Sequence, residues 1–208
     1  TVANLAGSGK AIVEANSDGT LKRTNVSDNT LDALGCVGTG DNAVCYGPGA
    51  NATGTNTTAL GAYSTADATG AIATGAGATA SGEQSVAVGQ ATKALGKQST
   101  ALGAASYANG IGSIALGGES IADGTDVMAQ GRGASAKGND TIAIGSQSST
   151  SGRNALAFGV QSIADGSDVM ALGAGARATG SRATAVGVGA ATTRDNQVML
   201  GTASDEVT

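Results

Sequence analysis

Few residues in this chain could do chemistry, and their spacing argues against most of it. The 208 residues include no histidine and only two cysteines, Cys36 and Cys45. Without a histidine nearby the cysteines do not make a zinc-ligand set, whereas in an oxidising compartment the same pair makes a disulfide. A catalytic nucleophile needs a base within reach, and neither a Ser/His/Asp nor a Cys/His set can be assembled from this composition. Gly7-Ser8-Gly9-Lys10 carries part of a phosphate-loop pattern, but Asn4 and Ala11 stand where the motif needs Gly and Ser or Thr. The chain is therefore read as neither an enzyme nor a cofactor-binding protein. Its net charge of -5, with no basic run and four aromatic residues in all, excludes nucleic-acid binding, which needs a positive footprint and stacking platforms. No stretch reaches the apolar length of a membrane-spanning helix, and a chain starting at Thr1 without a leader reads as a piece of a longer protein.

What must position any functional residue is a repeat. Glycine stands at 47, 61, 75, 89, 103, 117, 131, 145, 159, 173, 187 and 201, an unbroken frame of fourteen residues. A second glycine falls half a period later at 54, 82, 96, 110, 124, 138, 152, 166 and 180. Each unit is thus two short strands and two turns, and a fixed period of this kind means stacked coils in an all-β parallel solenoid. The glycines, among them Gly89, Gly103, Gly117, Gly145, Gly96 and Gly110, are expected at the corners, where a tight turn requires a positive φ. Ala68 and Arg194 interrupt the second series, so the turn at Ala68 is expected to be altered and the regular coil to end near Arg194. At about 4.8 Å per coil the stack is a rod of roughly 50 Å.

Strand side chains alternate between two faces, so residue types reveal what each face touches. With each frame glycine as position 0, position −2 is Ala in ten of twelve repeats, and positions +3 and +5 are also small. Ala87, Ala101, Ala115, Ala143, Ala157, Ala94 and Ala108 are accordingly placed inside the coil. The alternate positions −3 and −1 carry Val86, Val88, Leu102, Ile114, Leu116, Ile142, Ile144, Leu156, Phe158, Leu172 and Val186. These must project outward as a continuous apolar stripe, and such a stripe marks an interface. No other segment of the chain is apolar enough to cover it, so the partner is expected to be further copies of the same chain. Two such side chains per coil contribute on the order of 3–6 kcal/mol gross on burial. Gln130, Thr58, Thr74, Thr100 and Thr184 interrupt the stripe and would form polar layers that set register. Cys36 and Cys45 fall in inward slots of the first coil, and the expectation is a disulfide stapling that end.

The second strand's outward positions, +4 and +6, share no residue type and read as a solvated face. Lys93, Tyr107, Ile121, Ile163 and Arg177 lie there as candidate ligand-contacting residues. Ser120 to Ala129 recurs as Ser162 to Ala171 with one Thr-to-Ser change, which sets Ile121 and Ile163 in equivalent places three coils apart.

Ser-Val-Ala-Val-Gly at 85–89, Ser-Ile-Ala-Leu-Gly at 113–117 and Thr-Ile-Ala-Ile-Gly at 141–145, with the ending Asp195-Asn196-Gln197-Val198-Met199-Leu200-Gly201, resemble the YadA-like heads of trimeric autotransporter adhesins. The resemblance spans about residues 36–208. It implies a homotrimer of left-handed parallel β-rolls, displayed on a bacterial surface and held in the outer membrane by a C-terminal anchor outside this chain. It further implies binding to host extracellular matrix or cell surfaces. Residues 1–35 are read as an irregular entry segment, 36–201 as the head and 202–208 as the lead-in to a neck. The competing readings are a structural spacer or an ice- or mineral-binding solenoid. The latter needs a regular threonine array, and Thr at position −3 occurs only at 58, 100 and 184.

Overall fold

The computed structural model describes residues 11–15, 21–25, 36–202, 204 and 205. Two strands, β1 (Ala11–Ala15) and β2 (Leu21–Asn25), pair antiparallel within the entry segment. From Cys36 onward the chain forms two parallel sheets of twelve strands each. The first sheet holds the strand that precedes each frame glycine, from Val44–Tyr46 to Val198–Leu200. The second holds the strand that follows it, from Cys36–Gly38 to Ala191–Thr192. Every strand pairs with those one coil away in unshifted register, as in Val86↔Thr100, Ala87↔Ala101 and Val88↔Leu102. The architecture is a parallel β-solenoid of fourteen-residue coils.

The register stacks like residues on like, and this builds the core. Four positions per coil point inward: −4, −2, +3 and +5. Ala87, Ala101, Ala115, Ala143, Ala157, Ala94 and Ala108 are all fully buried, as are Ser64, Ala78 and Thr92 at +3. Position −4, which the small-residue pattern did not reveal, is buried as well, in Thr57, Ser85, Ser99, Ser113 and Val127. It escaped notice because its residue types are mixed. Their shared purpose is local. The residue three places after a glycine donates its amide to that glycine's carbonyl, as from Ser106 to Gly103 at 3.2 Å and from Ser113 to Gly110 at 3.3 Å. At several rungs where it is Ser or Thr, the hydroxyl donates to the same oxygen, from Ser113 at 2.7 Å and Ser120 at 2.8 Å, whereas the hydroxyls of Ser85, Ser99 and Thr141 are buried without a partner. Where the bond forms, a polar group is buried with a partner at little cost in volume.

The corners correct the expectation about glycine. At Gly89, Gly103, Gly117 and Gly145 φ is +134°, +127°, +124° and +129°, so the frame glycines do need a conformation that L-residues rarely adopt. Gly96 and Gly110 do not have positive φ; they are glycine because the next coil leaves no room. A Cβ on Gly96 would lie 1.9 Å from the Gly110 carbonyl oxygen, and one on Gly110 would lie 1.6 Å from that of Gly124. The left-handed turn residue sits instead two places after each glycine, and side chains other than glycine often fill it: Gln84 at +57°, Ala91 at +54°, Gln98 at +57° and Tyr63 at +57°. Hydrogen bonds along the rod accompany this strain, Gln98 to Gln84 at 3.2 Å, Gln161 to Gln147 at 3.1 Å and Asn154 to Asp168 at 2.7 Å. The turn at Ala68 is not altered: Ala71 donates to the Ala68 carbonyl at 3.1 Å and Gly70 takes the left-handed place at +70°. Nor does the coil end near Arg194, since Asn196 makes the same turn at +57° and Val198–Leu200 pairs with Thr184–Val186. The turn that Ala68 begins keeps its hydrogen bond, and Arg194 is followed by one more strand.

At the first coil, Cys45 is disulfide-bonded, and the one other cysteine of the chain is Cys36. Cys36 is in register with Ala50 and Cys45 with Ala59, both of which are buried inward positions. Beyond the last strand, the Asp205 carboxylate accepts hydrogen bonds from Thr202, which hold its pKa below the ordinary carboxylate value.

Two outcomes test this account. Gly110→Ala should destabilise the coil by about 3 kcal/mol or more, as overpacking against backbone does. Gly175→Ala, at φ +66° with nothing within 4 Å of the added Cβ, should cost only about 1–2 kcal/mol of left-handed strain. Thermal unfolding of the two variants would show the contrast, and equal losses would contradict it. Reduction of the disulfide should speed amide exchange in the strands Val44–Tyr46 and Thr58–Leu60, a local loss of about 2–3 kcal/mol, while the strands beyond residue 100 keep their protection.

Candidate binding surfaces

With the interior closed by small side chains, recognition is confined to two outer faces and two turn edges. Among the described residues no cluster of His, Cys, Asp and Glu could hold a metal ion. The outer face of the first sheet is built from positions −3 and −1, two columns that run the full stack. Val86, Val88, Ile114, Leu116, Ile144, Leu156 and Val186 are half-buried there by their neighbours in the column. Leu102, Ile142, Phe158 and Leu172 are more open, with 49% of Leu102 and 48% of Phe158 exposed to solvent. The register places them edge to edge: Val88↔Leu102↔Leu116 in one run and Ile144↔Phe158↔Leu172↔Val186 in another, with Gln130 between Leu116 and Ile144. No charged residue enters either column. The predicted stripe thus exists as one uncharged apolar face, and no element of the described chain packs over it.

The outer face of the second sheet has a different chemistry. Lys93, Tyr107 and Ile121 are consecutive in one column, paired Lys93↔Tyr107 and Tyr107↔Ile121. Ile163 and Arg177 are adjacent further along, and Ser135 and Ser149 separate the two groups. Lys93 and Arg177 are exposed, whereas Tyr107, Ile121 and Ile163 are half-buried because each leans on the next rung. The structure therefore gathers the five candidate residues into two patches of one column, each with a cation beside apolar side chains. Beside them, Asn109 donates to the Asp123 carboxylate at 3.0 Å, and Ser151 donates to Asp165. Asp123 and Asp165 are exposed, so each patch has an acidic flank.

The two turn edges also differ. The edge at the frame glycines is lined mainly by small or uncharged residues such as Ala62, Ala76, Ala104, Val160, Ala174 and Val188. The opposite edge carries Glu83, Lys97, Asp126, Asp140, Arg153, Asp168 and Arg182. Lys97 and Glu83 form an ion pair at 2.9 Å, both about half exposed and therefore worth little to stability. Sequence reasoning did not single out this edge; its signal was the recurrence of Asn, Asp, Gln or Gly two places after the half-period glycine.

Comparison with known proteins agrees with this geometry. The YadA head domain repeat, in its two-copy form, matches residues 39–64, 52–78, 66–92, 80–106, 94–120, 108–129, 122–148, 151–176 and 178–196. No curated protein matches the chain. Among solved structures, the crystal structure of the collagen-binding domain of the Yersinia adhesin YadA is similar at a TM-score of 0.58 and 31% identity, covering 62% of this chain and 72% of that one. The matched repeats tile the same strands that the fourteen-residue frame stacks, and the chain belongs to the YadA head domain repeat family.

Proposed function

We propose that this chain is the adhesive head of a bacterial surface adhesin of the trimeric autotransporter type, assembled as a homotrimer of left-handed rolls and binding host extracellular matrix or cell surfaces. The observation that carries the reading is the division of labour between the two sheets. One outer face is apolar, uncharged and continuous over the stack, and is given to copies of the same chain. The other is chemically varied and stays outward, where ligands reach it. Identical copies suit the apolar face because only a partner with the same repeat, about 4.8 Å per rung, meets every row in step. Three outward faces on one rod then offer the same patches several times over, so that weak contacts combine into avidity. The likeness to a collagen-binding domain supports a matrix protein as the ligand. Lys93, Tyr107 and Ile121, together with Ile163 and Arg177, are the contact residues in this reading. Threonine interrupts the apolar columns only at scattered rungs, so nothing favours an ice- or mineral-binding surface over an adhesive one.

The mass of the chain in solution should be that of a trimer. Leu116→Asp, in the middle of the apolar face, should dissociate it, because a buried carboxylate without a partner costs more than about 3 kcal/mol. A monomeric native chain would refute the assembly. Substituting Ser for both Ile121 and Ile163 should leave that mass and the thermal midpoint unchanged while lowering binding to collagen, fibronectin, laminin or cultured cells about tenfold. Undiminished binding would remove these two patches from the ligand surface.

A further inference from the structure

Gln130 is out of place on the apolar face. It is exposed, it is flanked in its column by Leu116 and Ile144, and its side-chain amide has no hydrogen-bond partner among the described residues. Other glutamines of the rod pair with a glutamine one coil away, Gln98 with Gln84 and Gln161 with Gln147. Gln130 has only hydrocarbon above and below it. It is also the one carboxamide in either column, where the other residues with polar side-chain atoms are threonines and Tyr46.

We propose that Gln130 sets the axial register between copies of this chain. The proposal rests on the reading of the apolar face as a self-association surface. That face repeats at every rung, so two copies displaced by one coil would keep nearly all their apolar contacts, and a repeating surface specifies register weakly. Gln130 breaks the degeneracy. A carboxamide has both donors and an acceptor, so like pairs with like when the copies are in step. One coil out of step, each amide is pressed against Leu116 or Ile144 and left unbonded, the costly arrangement for a buried polar group. The nearest other polar position of the same column, Thr74, is 56 residues away, four coils of fourteen, and meeting it would uncover four of the twelve rungs; Tyr46 lies further still. One polar residue at one rung thus selects one alignment, as a lone polar position does in a coiled coil. Alignment matters to function because it sets the Tyr107 and Ile121 patches of all copies at the same height.

The test moves the amide by one rung. A chain with Gln130→Leu and Leu116→Gln is co-expressed with the native chain, each under a different tag, and the assemblies are weighed by native mass spectrometry. Each chain alone should give the native oligomeric mass. Together they should mix with the swapped chain one rung out of step, since only that stagger pairs the two amides. A p-benzoylphenylalanine in place of Phe158 of the native chain reads the alignment: cross-links between native chains should fall on the rung of residue 158, and those from native to swapped chain on the rung of Ile144. The pair Gln130→Ile and Ile144→Gln moves the amide the other way and should shift the cross-links to the rung of Leu172, which guards against a folding fault in the first swap. Cross-links on the rung of residue 158 in both mixed assemblies would overturn the register assignment while leaving self-association intact. A monomeric native chain, seen before any mixing, would overturn both.

Discussion

The structure depends on how closely successive coils approach at their corners. At Gly40, Gly82, Gly96 and Gly110 an added Cβ would come within 2 Å of the carbonyl oxygen of the turn above. At these four corners backbone stacks directly on backbone, and no Cβ fits between. A roll held this tightly at its corners has two sheets too close for anything much larger than Ala, Ser or Thr, apart from Val127 and Val169. The interior is therefore filled at the density of packed methyl groups, without the large side chains that supply most of the hydrophobic effect in a globular core.

This constraint moves the larger apolar residues outward. Val88, Leu102, Leu116, Ile144 and Phe158 cannot enter the coil, and the alternation of the strand turns them to the far side of the first sheet. Their burial energy is fully realised only when another surface covers them, so the stability of the rod is tied to whatever covers that face. The second sheet is freed by the same division. Its outward residues bear no packing burden beyond contact with the next rung, and they vary between Lys93, Tyr107, Ile121, Ser135 and Arg177 at equivalent places.

The hydrogen-bonding pattern explains why polar residues are tolerated inside. A Ser or Thr at the end of a turn returns its hydroxyl to the glycine carbonyl three residues back, as Ser64, Ser106, Ser148 and Ser162 do. That bond is local to its own turn, so one rung can exchange Ala for Ser without disturbing its neighbours. The left-handed turn residues follow the same economy. Gln84, Gln98, Gln147 and Gln161 hold a strained φ, and each of these side chains bonds to another along the rod.

The period, the parity and the identity of the inward Ala positions follow from the sequence alone, because a β-strand's two-residue alternation and a fourteen-residue glycine frame leave one way to sort small from large. The same sorting placed Val86, Leu116 and Ile144 outside, and Cys36 and Cys45 in inward slots. Tertiary structure decided the rest. Whether a glycine is needed for the space a neighbouring coil denies alone, as at Gly110, or for that space and a positive φ together, as at Gly103, depends on backbone fourteen residues away. So does the survival of the turn at Ala68 and of the last strand after Arg194, where a regular stack above or below imposes a geometry that the local residues do not signal. The grouping of Lys93, Tyr107 and Ile121 into one patch likewise arises from unshifted register between coils. Sequence specifies what each rung contains, and stacking determines what each rung touches.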